Sequence, residues 1–223
     1  MSISLFIQRI RTHWNRQDTT VLVATLTSFV ILLANCIFRD PRITVASSCL
    51  GLAILFSRPA LLRPVIFGAI IAWLWPVGEW ITVHRLGWWG EYTLAGPRIL
   101  FTPLYCVLVG WLATTYCYYI SFRIIEFGYS LRTAMILTGL SAFALGVVGE
   151  NLYVFTGVWR YFATPLHIGS VPAFIPVAYG LGYAILPMLR RYRLPHAAAI
   201  FAPWLMAVCL ILWLLSGFKG TPL

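Results

Sequence analysis

The sequence TAMILTGLSAFALGVVGENLYVFT, residues 133–156, decides the fold class. It carries one charged residue, Glu150, and exceeds the roughly 20 apolar residues that a helix needs to cross the hydrocarbon core of a membrane. The chain therefore is predicted to be all-α, a polytopic transmembrane bundle of about seven spans in a single integral membrane domain, residues 1–223. Six spans are the alternative, because the run at 43–57 is short. The other predicted spans cover about 20–38, 43–57, 64–83, 99–121, 171–189 and 197–217.

Composition supports a membrane protein and limits its partners. The chain is 61% hydrophobic and 10% charged, whereas soluble domains carry about 25% charged residues. A net charge of +10 would suggest nucleic acid in a soluble protein, but the basic residues lie at span ends and in short loops, where they set topology and contact lipid head groups. We expect no nucleic-acid partner, no metal and no cofactor. The expected partner is a membrane lipid or isoprenoid substrate, and the sequence leaves open a monomer, a homo-oligomer or a hetero-oligomer within the membrane.

The basic residues also predict an orientation. They are more numerous in the segments on the side of the N-terminus, which include the cluster Arg190–Arg193. Cytoplasmic loops are enriched in such residues. We therefore expect a multi-pass protein of the cell (inner) membrane with Met1 in the cytoplasm and Leu223 outside. Glu126 is expected to form a surface ion pair with Arg123.

Two acidic residues within spans share a repeated context. Val77–Glu79 and Val148–Glu150 both read Val-Gly-Glu, and each is followed by a segment rich in glycine and aromatic residues. A shift of 71 residues aligns two parallel two-helix units, at about 64–121 and 133–189. Chance similarity between apolar sequences is the alternative. The loosest part of the alignment pairs Pro103 and Tyr105 with Pro176 and Tyr179.

The two acids predict one site in the outer half of the bundle. An ionisable group within a span is costly and marks a functional site by default, and a carboxyl group in an apolar pocket can act as a general acid. Glu79 is expected to lie nearer the interface than Glu150. The candidate catalytic residues are Glu150 and Glu79, and the candidate substrate-binding residues are Asn151, Tyr153, Trp159, Tyr161, Trp80, Trp89 and Tyr92.

Each of these residues also has a purely structural explanation. Trp and Tyr gather at membrane interfaces because their rings are amphipathic. Either glutamate could pair with Arg98 or Arg160, and Asn151 could form a simple hydrogen bond between helices. Glu91 is expected to be exposed in its loop.

The motifs that the sequence lacks narrow the chemistry. It has no Asp-rich diphosphate–magnesium motif, no histidine cluster, no Walker A loop and no serine-hydrolase elbow. Acid groups beside aromatic rings suit protonation of a carbon–carbon double bond, because ring faces stabilise cations. We therefore expect an enzyme that acts on an isoprenoid or carotenoid-type lipid by proton-initiated cyclisation, hydration or isomerisation. The alternatives are a non-catalytic assembly or pigment-protein subunit and a small transporter.

The order of the motifs that follow Glu150 resembles the order found in a known group of enzymes. Glu150 is followed by Gly-x-Trp-x-Tyr at 157–161 and by Val-Pro-x-x-x-Pro at 171–176. This order resembles the small integral membrane carotenoid enzymes, namely the lycopene-cyclase-domain proteins and the bacterioruberin-type carotenoid hydratases. The resemblance covers roughly residues 73–190 and implies a duplicated helical bundle with membrane-embedded acids that act on a long polyene. The Pro-x-Glu-Glu pair of the cyclases has no counterpart in this chain.

Overall fold

The computed structural model describes residue 8 and residues 11–85, 90–93, 96–162 and 166–216. Long helices dominate these residues, and a 3-10 turn, Pro59–Leu61, leads into the third helix, which continues into a π-helical segment, Trp80–Arg85. The helices are α1 (Arg16–Phe38), α2 (Pro41–Phe56), α3 (Leu62–Glu79), α4 (Leu104–Glu126), α5 (Leu131–Phe155), α6 (Phe174–Tyr183), α7 (Leu186–Leu189) and α8 (Leu194–Leu215).

Five helical segments are long and apolar enough to cross a membrane. The helical architecture agrees with the predicted all-α fold, and the length and composition of these segments are consistent with a membrane protein. The helices α2 and α6–α7 are apolar but shorter, at Arg42–Phe56 and Phe174–Leu189. Helix α2 begins cleanly because Asp40 accepts a hydrogen bond from the Arg42 amide and proline fits the first turn. The five long segments are Arg16–Ala34, Pro59–Thr82, Leu104–Glu126, Leu131–Phe155 and Leu194–Leu215.

Two short hairpins explain why two helices begin later than predicted. Strand β2 (Arg98–Ile99) pairs with β3 (Thr102–Pro103), so α4 begins at Leu104 and not near residue 99. Strand β5 (His167–Ile168) pairs with β6 (Val171–Pro172), so α6 begins at Phe174 and not at residue 171. The periodicity of the sequence did not predict these strands.

A third strand pair joins the segment after α3 to the segment after α5. Strand β1 (Gly90–Tyr92) runs antiparallel to β4 (Trp159–Tyr161), with Glu91 opposite Arg160. These two side chains form an ion pair. A Cβ atom at Gly90 would lie 2.5 Å from the Arg160 carbonyl oxygen and 2.6 Å from the Trp159 ring, so the close approach of the strands requires glycine there.

The core lies along the contacts of α3 and α4 with α8. The Phe67 ring stacks on Tyr118 at a centroid distance of 4.1 Å and contacts Phe201 at 5.6 Å. Helices α3 and α4 approach closely at Gly68, where a Cβ atom would lie 2.7 Å from the Trp111 carbonyl oxygen. This packing fixes the positions of α3 and α4, on which much of the site described below depends.

A polar network ties the end of α4 to the start of α1. The Asp18 carboxylate accepts hydrogen bonds from Arg123 at 2.8 Å and from the Tyr119 hydroxyl at 2.7 Å, and the Asp18 side chain is 5% exposed. Arg123 also pairs with Glu126, as predicted. The network lies at the opposite end of α4 from the hairpins, so it stabilises the bundle far from the acidic residues of the site.

Candidate functional site

An apolar cavity of about 190 Å³ lies among α3, α4, α5, α6 and α8, below strands β1 and β4. Glu79 of α3 and Glu150 of α5 both line it, so the structure brings the two predicted acids together. The other polar, sulfur-containing or aromatic residues of its lining are Trp75, Tyr92, Cys106, Thr114, Cys117, Tyr153, Trp159, Tyr161, Tyr179, Tyr183 and Cys209.

Glu79 is held by three side chains. Its Oε1 accepts hydrogen bonds from Trp75 Nε1 at 2.6 Å and from the Tyr92 hydroxyl at 2.8 Å. Its Oε2 accepts from the same Tyr92 hydroxyl at 2.7 Å and from Thr102 Oγ1 at 2.5 Å. Trp75 lies one helical turn earlier on α3, where residues four apart are neighbours. Both carboxyl oxygens are therefore well satisfied by the protein.

Glu150 has fewer partners. The Tyr161 hydroxyl donates to Oε2 at 2.6 Å, and the Tyr179 hydroxyl donates to Oε1 at 2.6 Å. Each oxygen thus receives one hydrogen bond, and each can accept more. Glu150 can therefore accept further hydrogen bonds beside the cavity. Glu79 has already used most of its capacity to accept them.

The protein encloses the two acids to different degrees. Glu79 is 6% exposed, whereas Glu150 is half-buried. Glu79 lies at the end of α3, and its position nearer the membrane interface than Glu150 stays a prediction. In the structure, Tyr92 of β1 and Thr102 of β3 fold back over that helix end and enclose the carboxyl group.

No basic side chain compensates the two acids within the part of the chain that the structure describes. The ion pairs found there join Arg123 to Asp18 and Glu126, and Arg160 to Glu91. Arg160 therefore pairs with Glu91 on the neighbouring strand and not with Glu79 or Glu150. No described Lys, Arg or His lines the cavity. An ionised carboxylate in this cavity would thus lack a counter-charge, which is costly in an apolar medium.

Two of the hydrogen-bonding tyrosines come from the short strands. Burial raises the pKa of Tyr92 well above that of an ordinary phenol, and the neighbouring Glu79 raises it further. Burial likewise raises the pKa of Tyr161, and Glu150 adds to the effect. Both phenols therefore keep their protons at neutral pH and remain hydrogen-bond donors to the acids.

The remaining predicted residues divide between the cavity and its surroundings. Tyr153 and Trp159 line the cavity, whereas Trp80 and Asn151 are not among its lining residues. Trp89 lies outside the described residues. The polar atoms Tyr153 Oη and Trp159 Nε1 are buried and have no hydrogen-bond partner among the described residues.

Asn151 anchors the β5–β6 turn. Its Nδ2 donates to the Val147 carbonyl oxygen at 2.7 Å and to the Ile168 carbonyl oxygen at 3.1 Å. Its Oδ1 accepts from the Ser170 amide at 2.8 Å. The side chain therefore positions the hairpin before α6. None of these hydrogen bonds involves the Glu150 side chain.

Sequence reasoning missed Trp75, Thr102, Tyr179 and Tyr183. The position of Trp75, four residues before Glu79 on one helix, was a usable signal. Tyr179 entered only as a loose counterpart of Tyr105. No local pattern indicated that Thr102 would reach Glu79, because a chain reversal through β1, β2 and β3 brings it there.

Comparisons with known proteins add no further constraint: the chain matches no protein family model, no curated protein and no solved structure. Among the described residues, no group of three or more His, Cys, Asp or Glu side chains is placed to hold a metal ion.

Proposed function

We propose that the protein is an integral membrane enzyme that protonates a carbon–carbon double bond of an isoprenoid or carotenoid-type lipid. The observation that carries this proposal is the pair Glu79 and Glu150, which line one apolar cavity with no described basic residue in its lining. Burial of an acid in a membrane without a counter-charge is costly, and such residues are usually functional.

Glu150 is the proposed proton donor. Its carboxyl group transfers a proton to one alkene carbon, the electron pair of the double bond forms the new C–H bond, and the neighbouring carbon becomes a cation. A second double bond or a water molecule then attacks the cation. The proton released from that adduct returns to the Glu150 carboxylate and restores the acid. General acid catalysis of this kind contributes about 10²–10⁴-fold.

The aromatic wall suits the cationic intermediate. Trp159 packs edge-on against Tyr92 and Tyr161, with ring centroids 4.3 and 5.6 Å apart. Aromatic rings stabilise a nearby cation through the negative charge of their faces. Trp75 and Tyr179 contribute further rings to the lining.

The size of the cavity suits one end of a long molecule. At about 190 Å³ it is smaller than the roughly 300–1,000 Å³ of pockets that enclose a drug-sized ligand. A long polyene would therefore place an end group beside the acids and leave the rest of its chain outside the cavity. This matches the polyene chemistry implied by the resemblance to the membrane carotenoid enzymes.

Seven spans and an internal repeat belong to the same proposal. The shorter helices α2 and α6–α7 would complete seven alternating crossings, with Met1 in the cytoplasm. Units 64–121 and 133–189 each contain a helix with its acid, a strand, a two-stranded hairpin and a second helix. Tyr92 and Tyr161, each at the end of its unit's strand, donate to the acid of the same unit. When the two units are aligned by their hairpins, Pro103 corresponds to Pro172 and not to Pro176.

Reporter fusions at the two termini test the topology. An N-terminal reporter active in the cytoplasm and a C-terminal reporter active outside would support seven spans. Both reporters on one side would contradict it.

The lipid and pigment profile of a strain that lacks the protein tests the function. We expect one isoprenoid to accumulate unmodified and its product to disappear, and both changes to be reversed by the wild-type gene. Mass spectrometry of the lipid extract reads out both. An unchanged profile would contradict the proposal. Stable co-purification with a partner, together with rescue by a Glu150→Gln variant, would favour an assembly subunit.

A further inference from the structure

Helices α4 and α5 are packed together at the end away from the acids. Ile124 of α4, Ala134 of α5 and Tyr129 of their connection form one buried apolar cluster. Toward the opposite end, the two helices both contribute to the cavity wall. The seam between them is therefore closed at one end and borders the cavity at the other.

Two glycines of these helices line the cavity at similar distances from their helix ends. Gly110 is six residues after the start of α4, and Gly149 is six residues before the end of α5. At a rise of 1.5 Å per residue, both are about 9 Å from the neighbouring helix ends. Both line the cavity, and a Cβ atom at either would meet no neighbouring heavy atom within 4 Å. By contrast, a Cβ atom at Gly146 would press on Tyr179, so that glycine serves close packing.

The same seam reaches the surface of the bundle. Leu145 lines the cavity and is also 40% exposed, and Gly110 and Gly149 are partly exposed. The cavity is itself only partly enclosed, so these residues lie where it can open to the outside. The exposed neighbours on α5 are apolar, Val148 at 47% and Leu140 at 59%, and α4 and α5 are both candidate membrane spans. The opening therefore faces lipid.

We propose that a long isoprenoid polyene enters the cavity sideways from the lipid, through a portal between α4 and α5 that has Gly110 and Gly149 on its two sides. This proposal rests on the proposed function for the class of ligand. The end group occupies the cavity, and the remaining chain passes between the two glycines into the bilayer, because the cavity is too small to hold it.

Substitutions that block the portal test this proposal by measurements of ligand binding alone. The variants are Gly110→Phe and Gly149→Phe, whose new side chains point into open space, with Leu140→Phe on the outer face of α5 as the matched control. The protein is placed in lipid nanodiscs with one of two achiral probes. Lycopene is a long acyclic polyene, and pseudoionone is a short ketone with the same acyclic end group. Circular dichroism induced in each probe reports binding to the chiral site, with empty nanodiscs as the blank.

We expect either glycine variant to weaken lycopene binding at least tenfold and to leave pseudoionone binding within twofold of wild type. The short probe fits within the cavity, so its retention also shows that the variant is folded. Leu140→Phe should bind both probes as wild type does. Unchanged lycopene binding in both glycine variants, equal loss of both probes, or no binding by the wild type would overturn the portal. This experiment measures binding and no turnover, so its result is independent of the lipid profile of the deletion strain. If the glycine variants lose lycopene binding but the lipid profile of that strain is unchanged, the portal is supported and the enzymatic function is refuted.

Discussion

The two tyrosines that hold the Glu150 carboxyl group give a quantitative prediction about its chemistry. Tyr161 and Tyr179 each donate one hydrogen bond of 2.6 Å to a different oxygen. After proton transfer these bonds stabilise the carboxylate, and a hydrogen bond to a charged group contributes about 1.5–3 kcal/mol. Since about 1.4 kcal/mol corresponds to a tenfold change in rate, Tyr161→Phe or Tyr179→Phe should lower kcat by about 10- to 150-fold.

The assay is turnover by purified protein in proteoliposomes, with the isoprenoid identified from the strain comparison and the product measured by mass spectrometry. Tyr183→Phe is the matched control. Tyr183 lines the same cavity, but its hydroxyl is hydrogen-bonded to Thr114 at 2.8 Å and not to Glu150. Its kcat should stay within about threefold of wild type, since no bond to the acid is lost. Wild-type kcat in both Tyr161→Phe and Tyr179→Phe would refute the reasoning, and so would an equal loss in Tyr183→Phe.

Four further substitutions separate stability from chemistry. Asp18→Asn leaves the Arg123 charge without its buried partner and should lower the free energy of unfolding by about 3–5 kcal/mol, measured by thermal denaturation. Glu126→Gln changes a side chain that is 52% exposed and should lower the free energy of unfolding by about 1 kcal/mol or less. Asn151→Ala should speed hydrogen exchange in the β5–β6 turn and lower the free energy of unfolding by about 1–3 kcal/mol, because the Ile168 carbonyl and the Ser170 amide lose their bonds to this side chain. Glu79→Gln should lower turnover less than Glu150→Gln does, because three side chains already donate to the carboxyl group of Glu79 and only two donate to that of Glu150. An equal or larger loss would assign the proton donor to Glu79.

The helices and the shared cavity follow from signals that are present in the sequence. Apolar runs set the helices because a membrane span must satisfy its backbone hydrogen bonds internally. The repeated Val-Gly-Glu motif indicated that Glu79 and Glu150 have matching positions, and both line one cavity. The inference that both acids line one site needed only the directions of the helices and the lengths of the loops. The pattern of apolar residues supplies both.

The parts that the sequence did not predict depend on contacts between distant segments. The hairpin strands are two residues long, too short for an alternating pattern. Thr102 reaches Glu79 through a chain reversal, and Asp18 pairs with Arg123 across 105 residues. The close enclosure of Glu79 depends on such contacts too, because the strand segments fold over the end of α3.

The most direct test of acid catalysis is the activity of Glu150→Gln. The amide keeps the size of the side chain and can hydrogen-bond to Tyr161 and Tyr179, but it cannot deliver a proton. We expect this variant to be expressed, inserted and folded, to bind the probes within a fewfold of wild type, and to form no detectable product in proteoliposomes. Product formation at the wild-type rate by a well-folded Glu150→Gln protein would contradict the account.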